Sequence, residues 1–596
     1  MTVLNAENEA SKSQKNHTPS LARQEKIAIS LHEVSLEVVK KKGIIDFFKK
    51  RPNIKQRLLD DVNCEFKHGR LTAIMGPSGA GKTSLLKAIS GDNSPSSQLF
   101  GSILVNNEPY TPKDVKSLSS FVFQDDVLYP TMTSKEAISM AAELKNKAVP
   151  VSTILKLLGL EKAADTSIGD PSKKGLSGGE KKRVSIGMSL VSDPKLLFLD
   201  EPTSGLDLGT ACTVIEYLKC LASQGRTIIT TIHQPCSQIY HMIDDLILLA
   251  NGKIIYEGDA KDAVGYFTRL GFPCPEFTNP ADYLFLNVIL PENLKMLQEA
   301  WIHEKGTKYN PPEIQEISKP EMIKTAPFFT QFKFLTTRAF KNLFRNRMIL
   351  QLKLIRAVFF GLLIASVYRS SKNETNNVDA LIQNRISCLY NLLTNEFFGG
   401  VAAVISVYTI ENPVFLREYR QGYYSVISYF LSKMIVELPF LIIFPVSTLS
   451  IAYWIVGFRS DTVAFLIACL IMIIVALCSS AMGMFLGGLF SRIEAALAAM
   501  PMILMPMIVF GGLLVNLSTV PIYFRWIKHI SPVKRAFVAL SRNEFEHDEI
   551  GRKALERYSL DKEPSLWHEV WILSIMYAIL IILAFISLFK AAKTRK

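Results

Sequence analysis

The chain has 596 residues, 48% apolar and 20% charged, with a net charge of +13 and eight cysteines. That length excludes a single small domain and asks for two to four. The cysteines include no C-x-x-C pair, which argues against a zinc site or a disulfide framework. The positive charge forms no basic–aromatic cluster, so no nucleic acid is expected as a partner.

Residues 1–25 are rich in Ser, Asn, Lys and Glu and are expected to be disordered. They lack the apolar core of a signal peptide, so insertion in a membrane should rest on segments downstream. Ile27–Val39 alternates apolar and polar residues, which predicts an edge strand, and Lys40–Arg57 reads as a basic, loop-like insertion. Leu71–Met75 is a short apolar strand. It leads into Gly76-Pro77-Ser78-Gly79-Ala80-Gly81-Lys82-Thr83, and Ser84–Ile89 then has helix-forming composition. This strand–loop–helix context predicts a phosphate-binding loop. Its glycines turn backbone N–H groups toward a triphosphate, Lys82 faces the β- and γ-phosphates, and the Thr83 hydroxyl suits Mg²⁺.

Phe121-Val122-Phe123-Gln124 is a short strand ending in an amide. In Gly175-Leu176-Ser177-Gly178-Gly179-Glu180, Ser177 is an N-cap residue and the glycines present N–H groups at a helix start, a second anion site. Leu196–Leu199 is a buried-strand run ending in Asp200 and Glu201. Asp200 is placed to hold Mg²⁺, and Glu201 to accept a proton from attacking water. Pro202–Asp207 turns the chain, and the β-branched strand Thr227–Ile232 ends at His233, which can reach a γ-phosphate. Ile247–Tyr256 reads as a hairpin through Asn251-Gly252.

The nucleotide-binding part is expected over 26–290, followed by a polar, Pro-containing linker at 291–327 and an amphipathic helix at 328–347 lying along the inner membrane surface. The remainder, 348–596, carries apolar runs at about 349–368, 386–408, 430–456, 463–490, 497–515 and 567–589, each long enough to cross a bilayer. An even number puts both termini on one side, and the flanking Lys and Arg mark it as cytoplasmic. An external loop is then expected at 516–566, with the sequons at Asn373 and Asn516 outside. Glu411–Tyr424 is expected to be a short cytoplasmic connection able to dock on the ATPase part. Polar Asn391, Thr394, Asn395 and Glu396 fall in the second run and should face a cavity or a partner helix. Pro501, Pro506, Gly511 and Gly512 predict a bent fifth span or close helix packing.

The set GPSGAGKT, FVFQDD, LSGGEKKR, LLFLDEP, SGLD and TTIHQP, in this order, resembles the ATP-binding-cassette (ABC) ATPases. The resemblance implies an α/β P-loop ABC ATPase domain followed by an all-α six-helix transmembrane domain. It implies that Gly76, Ser78, Gly79, Ala80, Gly81, Lys82, Thr83 and Ser84 bind ATP. Thr83, Gln124 and Asp200 would serve Mg²⁺, Glu201 would be the catalytic base, and His233 would sense the γ-phosphate. Ser177, Gly178 and Gly179 would act across a dimer on the other protomer's nucleotide, with Asp207 among the nucleotide contacts. No aromatic residue for adenine stacking stands in the strand before the loop, leaving Phe47 and Phe48 of the insertion.

The layout, one ATPase part followed by six spans, resembles the G (White/breast-cancer-resistance) subfamily of half-transporters, as do NPADYL and REYRQGYYS. LIQNR and the stretch GGLLVNLSTVPIYFRWIKHISPVKRAFVALSRNEF are most similar to its multidrug and urate exporter branch. That branch would place Asn395 and Phe398 on a central substrate cavity and Leu513 and Leu514 in an apolar plug above it. Unlike that branch, 516–566 contains no cysteine, so its disulfides are absent. The expectation is an ATP-driven exporter of amphipathic small molecules or lipids, such as xenobiotics or sterols. It would work as a dimer with a second half-transporter in the plasma membrane, both termini cytoplasmic. The alternative is an ATP-gated or regulatory membrane protein without net transport.

Overall fold

The computed structural model describes residues 26–39, 55–93, 97–145, 150–169, 175–306, 325–369, 378–490, 492–515, 520–547 and 549–594. The N-terminal stretch, Phe47 and Phe48, and the sequon residues Asn373 and Asn516 lie outside them. The chain divides into two compact units, 1–126 with 133–166 and 174–324, and 127–132 with 167–173 and 325–596.

The first unit is built on a six-stranded sheet ordered β10-β9-β3-β8-β7-β6, with β3 Leu71–Met75, β6 Ser119–Val122, β7 Leu196–Asp200, β8 Thr227–Thr231, β9 Asp245–Ala250 and β10 Lys253–Asp259. Every residue of β3, β7, β8 and β9 is buried. Apolar and β-branched runs of this kind are what a parallel sheet covered on both faces requires. Its helices include α1 Lys82–Ser90, α2 Ser134–Leu144, α3 Gly178–Leu190, α4 Leu208–Ser223 and α5 Ser237–Met242. The β9–β10 hairpin turns at Asn251 (φ 49°) and Gly252 (φ 77°), the positive-φ pair that an Asn-Gly turn supplies.

A second, antiparallel sheet is ordered β2-β1-β4-β5, with β1 Ile29–Val39, β2 Lys55–Phe66, β4 Ser97–Val105 and β5 Glu108–Tyr110. Strand β1 is therefore not an edge: Ile29 pairs with Phe66 on one side and Val105 on the other. Lys55–Arg57, expected in the insertion, belong to β2. The stretch expected as linker carries α6, Leu294–Gly306. Its Leu297 is fully buried, Trp301 lies 5.8 Å from the Tyr256 ring, and Lys305 Nζ donates to Glu257 Oε2 at 2.6 Å. These contacts tie it to β10.

The second unit contains α7 Phe328–Arg345, α8 Arg347–Tyr368, α9 Val378–Arg420, α10 Val426–Val456, α11 Thr462–Leu489, α12 Ile493–Val509, α13 Pro532–Phe545, α14 Glu549–Arg557 and α15 Leu566–Thr594. Among the described residues five helices are long and apolar enough to cross a membrane, α8 to α11 and α15, and α12 is a shorter apolar helix. Helix α12 carries Pro501 and Pro506 and ends at Val509, so Gly511 and Gly512 lie beyond it rather than within a span reaching 515. Helix α15 exposes Trp567, Trp571, Ile575, Ile579, Ile582, Ile586 and Phe589, a stripe at helical spacing with tryptophans at one end, as a lipid-facing surface needs.

Helix α11 packs against α9, α10, α13 and α15. Its seam with α9 is made by small residues four apart. A Cβ on Gly400 would fall 2.2 Å from Ser479 Oγ, one on Gly483 2.7 Å from Val404, and one on Gly487 2.8 Å from Tyr408. Small residues let two helices approach where lipid supplies no hydrophobic drive. Gly483→Leu is expected to force them apart and cost about 1–3 kcal/mol, read as a lowered Tm of the detergent-solubilised protein, with Gly483→Ala milder.

Two expectations change here. Helix α9 runs unbroken through Pro413 to Arg420, about 64 Å at 1.5 Å per residue, so most of Glu411–Tyr424 continues a span instead of forming a separate connection. Buried Arg338 of α7 holds it, donating from Nη1 to both Glu418 oxygens at 2.8 Å, while the Tyr424 hydroxyl donates to the same carboxylate at 2.6 Å. Arg338 also lies 4.4 Å over the ring of Tyr129, and Arg417 donates to the Val127 carbonyl at 2.7 Å. The stretch expected as an external loop, 516–566, contains α13, all of whose fourteen residues are buried. Its charges are paired: Lys534 with Glu563 at 2.7 Å, Arg535 with Glu569 at 3.0 and 3.1 Å, and Glu544 with Arg385 at 3.1 Å.

Candidate nucleotide site

Strands β3, β8, β7 and β6 are adjacent and parallel, so the loops at their carboxyl ends meet at one sheet edge. This edge is where open α/β sheets bind ligands. It receives the Gly76–Gly81 loop after β3, His233 after β8, Asp200 and Glu201 at the end of β7, and Gln124 after β6.

The loop after β3 requires its glycines. A Cβ on Gly76 would fall 2.1 Å from the Leu249 carbonyl oxygen, and Gly81 caps α1 at φ 102°. Ser78 and Gly79 are exposed, Ala80 is buried, and Thr83 and Ser84 are half-buried at the start of α1. Lys82 Nζ donates to the carbonyls of Gly76 at 2.8 Å and Pro77 at 3.1 Å, which holds the ammonium beside the loop. Burial lowers its pKa from the ordinary value, with Glu201 and Asp200 acting in the opposite sense.

Thr83 Oγ1 donates to Asp200 Oδ1 at 3.0 Å, and Thr231 Oγ1 donates to the same oxygen at 2.8 Å. Thr231 Oγ1 in turn accepts from the Glu201 N–H at 2.9 Å, and Gln124 Nε2 donates to Glu201 Oε2 at 2.8 Å. Glu201 sits at φ 45°, a sparsely populated conformation for a side-chain-bearing residue, with its N–H bonded to Thr231. Thus Thr83, Asp200, Thr231, Glu201 and Gln124 form one hydrogen-bonded network, and Lys82 is held separately on the Gly76 and Pro77 carbonyls. His233, two residues beyond Thr231, is exposed at the same edge. A hydroxyl, a carboxylate and an amide form an all-oxygen donor set, the chemistry that suits Mg²⁺.

Ser177, Gly178 and Gly179 lie at the start of α3. Ser177 and Glu180 form a reciprocal capping box: Ser177 Oγ accepts from the Glu180 N–H at 3.3 Å and donates to Glu180 Oε2 at 3.0 Å. The N–H groups of Gly178 and Gly179 are then the helix's first unpaired donors. A Cβ on Gly179 would strike the Thr210 methyl at 1.9 Å, so glycine is needed where α3 meets α4. Asp207 caps α4 through the Thr210 N–H at 3.1 Å, and hydrogen bonding to Thr210 lowers its pKa. Helix α1 packs on β2, β7 and β8, whereas α3 packs on α2, α4 and β6.

Two residues of this site had no sequence signal. Thr231, hub of the network, looks like any β-branched strand residue. Lys182, 1% exposed, looks like part of a charged helix, yet its Nζ donates to the Gln124 carbonyl at 2.7 Å and pairs with Asp126 at 3.2 Å, joining α3 to the loop after β6. Lys182→Met is expected to displace Gln124 and lower kcat about tenfold with little change in KM, checked by steady-state ATPase assay. Of the expected cavity residues, Asn395 and Phe398 are half-buried on α9. Phe398 and Leu513 both pack on the apolar core of the second unit, and Leu514 is exposed. Glu396 is buried, 3.7 Å from Arg356.

Residues 59–204 match the family described as ABC transporter, and 330–545 match the one described as ABC-2 type transporter. The chain is 35% identical to the mouse (Mus musculus) "Broad substrate specificity ATP-binding cassette transporter ABCG2", covering 87% of this chain and 84% of that protein. It is 34% identical to "ABC transporter G family member 7" of Arabidopsis thaliana, over 84% and 74% of the two chains. It is 31% identical to "Protein white" of Drosophila melanogaster, over 84% and 76%. The chain belongs to the ABCG family of ABC half-transporters, multi-pass membrane proteins that couple ATP hydrolysis to transport.

Proposed function

We propose that this half-transporter works as a dimer that exports amphipathic small molecules or lipids from the cytoplasmic side of the plasma membrane. The supporting observation is that one chain gathers Thr83, Gln124, Asp200 and Glu201 at the edge that carries Lys82, while its exposed Ser177–Gly178 helix start belongs to a helix with packing partners different from those of α1. The N–H groups at that helix start suit the γ-phosphate of ATP held by a second chain. A single set of spans favours the same pairing.

On this reading the Gly76–Ser84 loop and Lys82 hold the phosphates, and Asp207 braces the helix beside them. Glu201, aimed by Thr231 and Gln124, takes the proton from the attacking water, and His233 contacts the γ-phosphate. Thr83, Asp200 and Gln124 would hold Mg²⁺, which when bound neutralises phosphate charge. Gln124 is joined by two residues to Val127, whose carbonyl is held by Arg417 of α9, so the chain itself connects nucleotide contact to a spanning helix. A relative's name, broad substrate specificity, supports a wide amphipathic substrate range. Asn395, Phe398, Leu513 and Leu514 are proposed to line its path.

Inside-out vesicles loaded with the protein test this reading. ATP-dependent accumulation of an amphipathic dye, absent with Glu201→Gln, is expected. ATP hydrolysis without accumulation of any amphipathic probe would favour the ATP-gated or regulatory alternative.

A further inference from the structure

A cavity of about 680 Å³ opens between the start of β9, the end of β10, the short helix Ala263–Arg269 and α6. That volume is in the range of small-molecule sites. Strand β9 runs parallel to β3 with Asp245 opposite Thr72, so the cavity lies at the end of the sheet away from the Gly76–Ser84 loop. One wall is aromatic: the rings of Tyr256, Tyr266 and Trp301 touch one another, with centroids 5.3 to 5.8 Å apart. This wall already carries one cation, the Arg269 guanidinium, 5.8 Å from the Tyr266 ring centroid.

Two buried oxygens of lining residues lack partners. Asp245 is 6% exposed; Arg70 Nε donates to its Oδ2 at 2.6 Å, but among the described residues its Oδ1 has no hydrogen-bond partner. Tyr266, 4% exposed, likewise has an unpartnered hydroxyl. A polar atom buried unpaired costs stability, and a ligand that pairs it recovers that cost. Burial pushes the Asp245 carboxyl up, against the pull of Arg70 and Lys67, and a positive group beside it would restore its charged form. Six carboxylates and four Lys or Arg side chains line the cavity. Of these cations, Lys305 is paired with Glu257 at 2.6 Å, Arg269 lies 3.8 Å from Glu304, and Lys67 and Lys261 are exposed, so the interior favours positive charge. We propose that this cavity binds a small organic cation, an amine on a flat apolar body, at a site separate from the nucleotide edge. The ammonium gives Asp245 Oδ1 the donor that it lacks, the body lies on the aromatic wall, and the Tyr266 hydroxyl is a second polar contact. The site does not depend on where ATP or a transported substrate binds.

The test is calorimetric titration of the full-length protein in lipid nanodiscs, with empty nanodiscs subtracted. Three probes share one ring: phenethylamine, neutral phenethyl alcohol and anionic phenylacetate. Phenethylamine should bind saturably, the alcohol about tenfold more weakly, and phenylacetate not at all. Asp245→Asn keeps the shape of the side chain and should weaken phenethylamine about tenfold. A Cβ on Gly265, in the cavity lining, would meet nothing within 4 Å, so Gly265→Phe adds bulk there without displacing a neighbour and should also abolish binding. It tests the site even if Asp245→Asn, which alters the partner of Arg70, fails to fold. Lys82→Ala, at the opposite end of the sheet, should bind phenethylamine like the parent. Phenylacetate binding as tightly as the amine, parental affinity in folded Asp245→Asn or Gly265→Phe, or loss of binding in Lys82→Ala would each overturn the proposal.

Discussion

Glu201→Gln is expected to lower steady-state ATP hydrolysis by about 10²–10⁴-fold, the usual contribution of a positioned general base, while nucleotide still binds. The geometry makes this a clean substitution. Gln keeps the shape of the side chain, and its carbonyl can still accept from Gln124 Nε2, now 2.8 Å from Glu201 Oε2. The Glu201 N–H bond to Thr231 is a backbone contact and survives. Only the ability to take a proton is lost. The check is a phosphate-release assay beside nucleotide binding by fluorescence; unchanged hydrolysis would remove Glu201 from the chemistry.

The second large effect is expected far from the nucleotide. Glu569 is completely buried, and Arg535 of α13 donates to both its oxygens. Glu569→Ala leaves the guanidinium without its partner inside the protein, a change that costs about 3–5 kcal/mol. Replacing both, Arg535→Met with Glu569→Leu, removes charge on both sides and should recover most of that loss. Thermal unfolding in detergent distinguishes the cases. Equal losses for the single and double variants would mean that α13 is held by its apolar contacts and not by this pair.

The nucleotide half was largely legible because its chemistry uses residues in fixed local patterns. A strand, glycines and a Lys-Thr pair specify one loop geometry, and Asn251-Gly252 specifies one turn. What escaped the sequence depends on contacts distant along the chain. Strand β1 alternates like an edge strand because its partners β2 and β4 are invisible locally. Lys182 and Thr231 act through carbonyls and carboxylates that only the fold brings near. In the membrane half, local polarity misled. Helix α13 is charged enough to resemble an exposed segment, yet Lys534, Arg535 and Glu544 find partners on other segments, so it packs inside. The charged stretch Glu411–Tyr424 reads as a separate connection, but α9 runs on through it, and Pro413 costs less where neighbouring helices and side chains satisfy the freed groups. Helix α6 was hidden by the prolines at 311, 312 and 320 that follow it.

Complementation tests the pairing of two chains at ATP most directly. Lys82→Ala disables the phosphate loop, and Gly178→Asp puts negative charge where the neighbour's γ-phosphate should lie; each variant alone should be inactive. Co-expressed, half of randomly formed dimers carry one of each, and each mixed dimer keeps one of its two sites intact, so roughly a quarter of wild-type ATPase is expected. A co-expressed mixture as inactive as either variant alone would contradict a nucleotide site shared between chains.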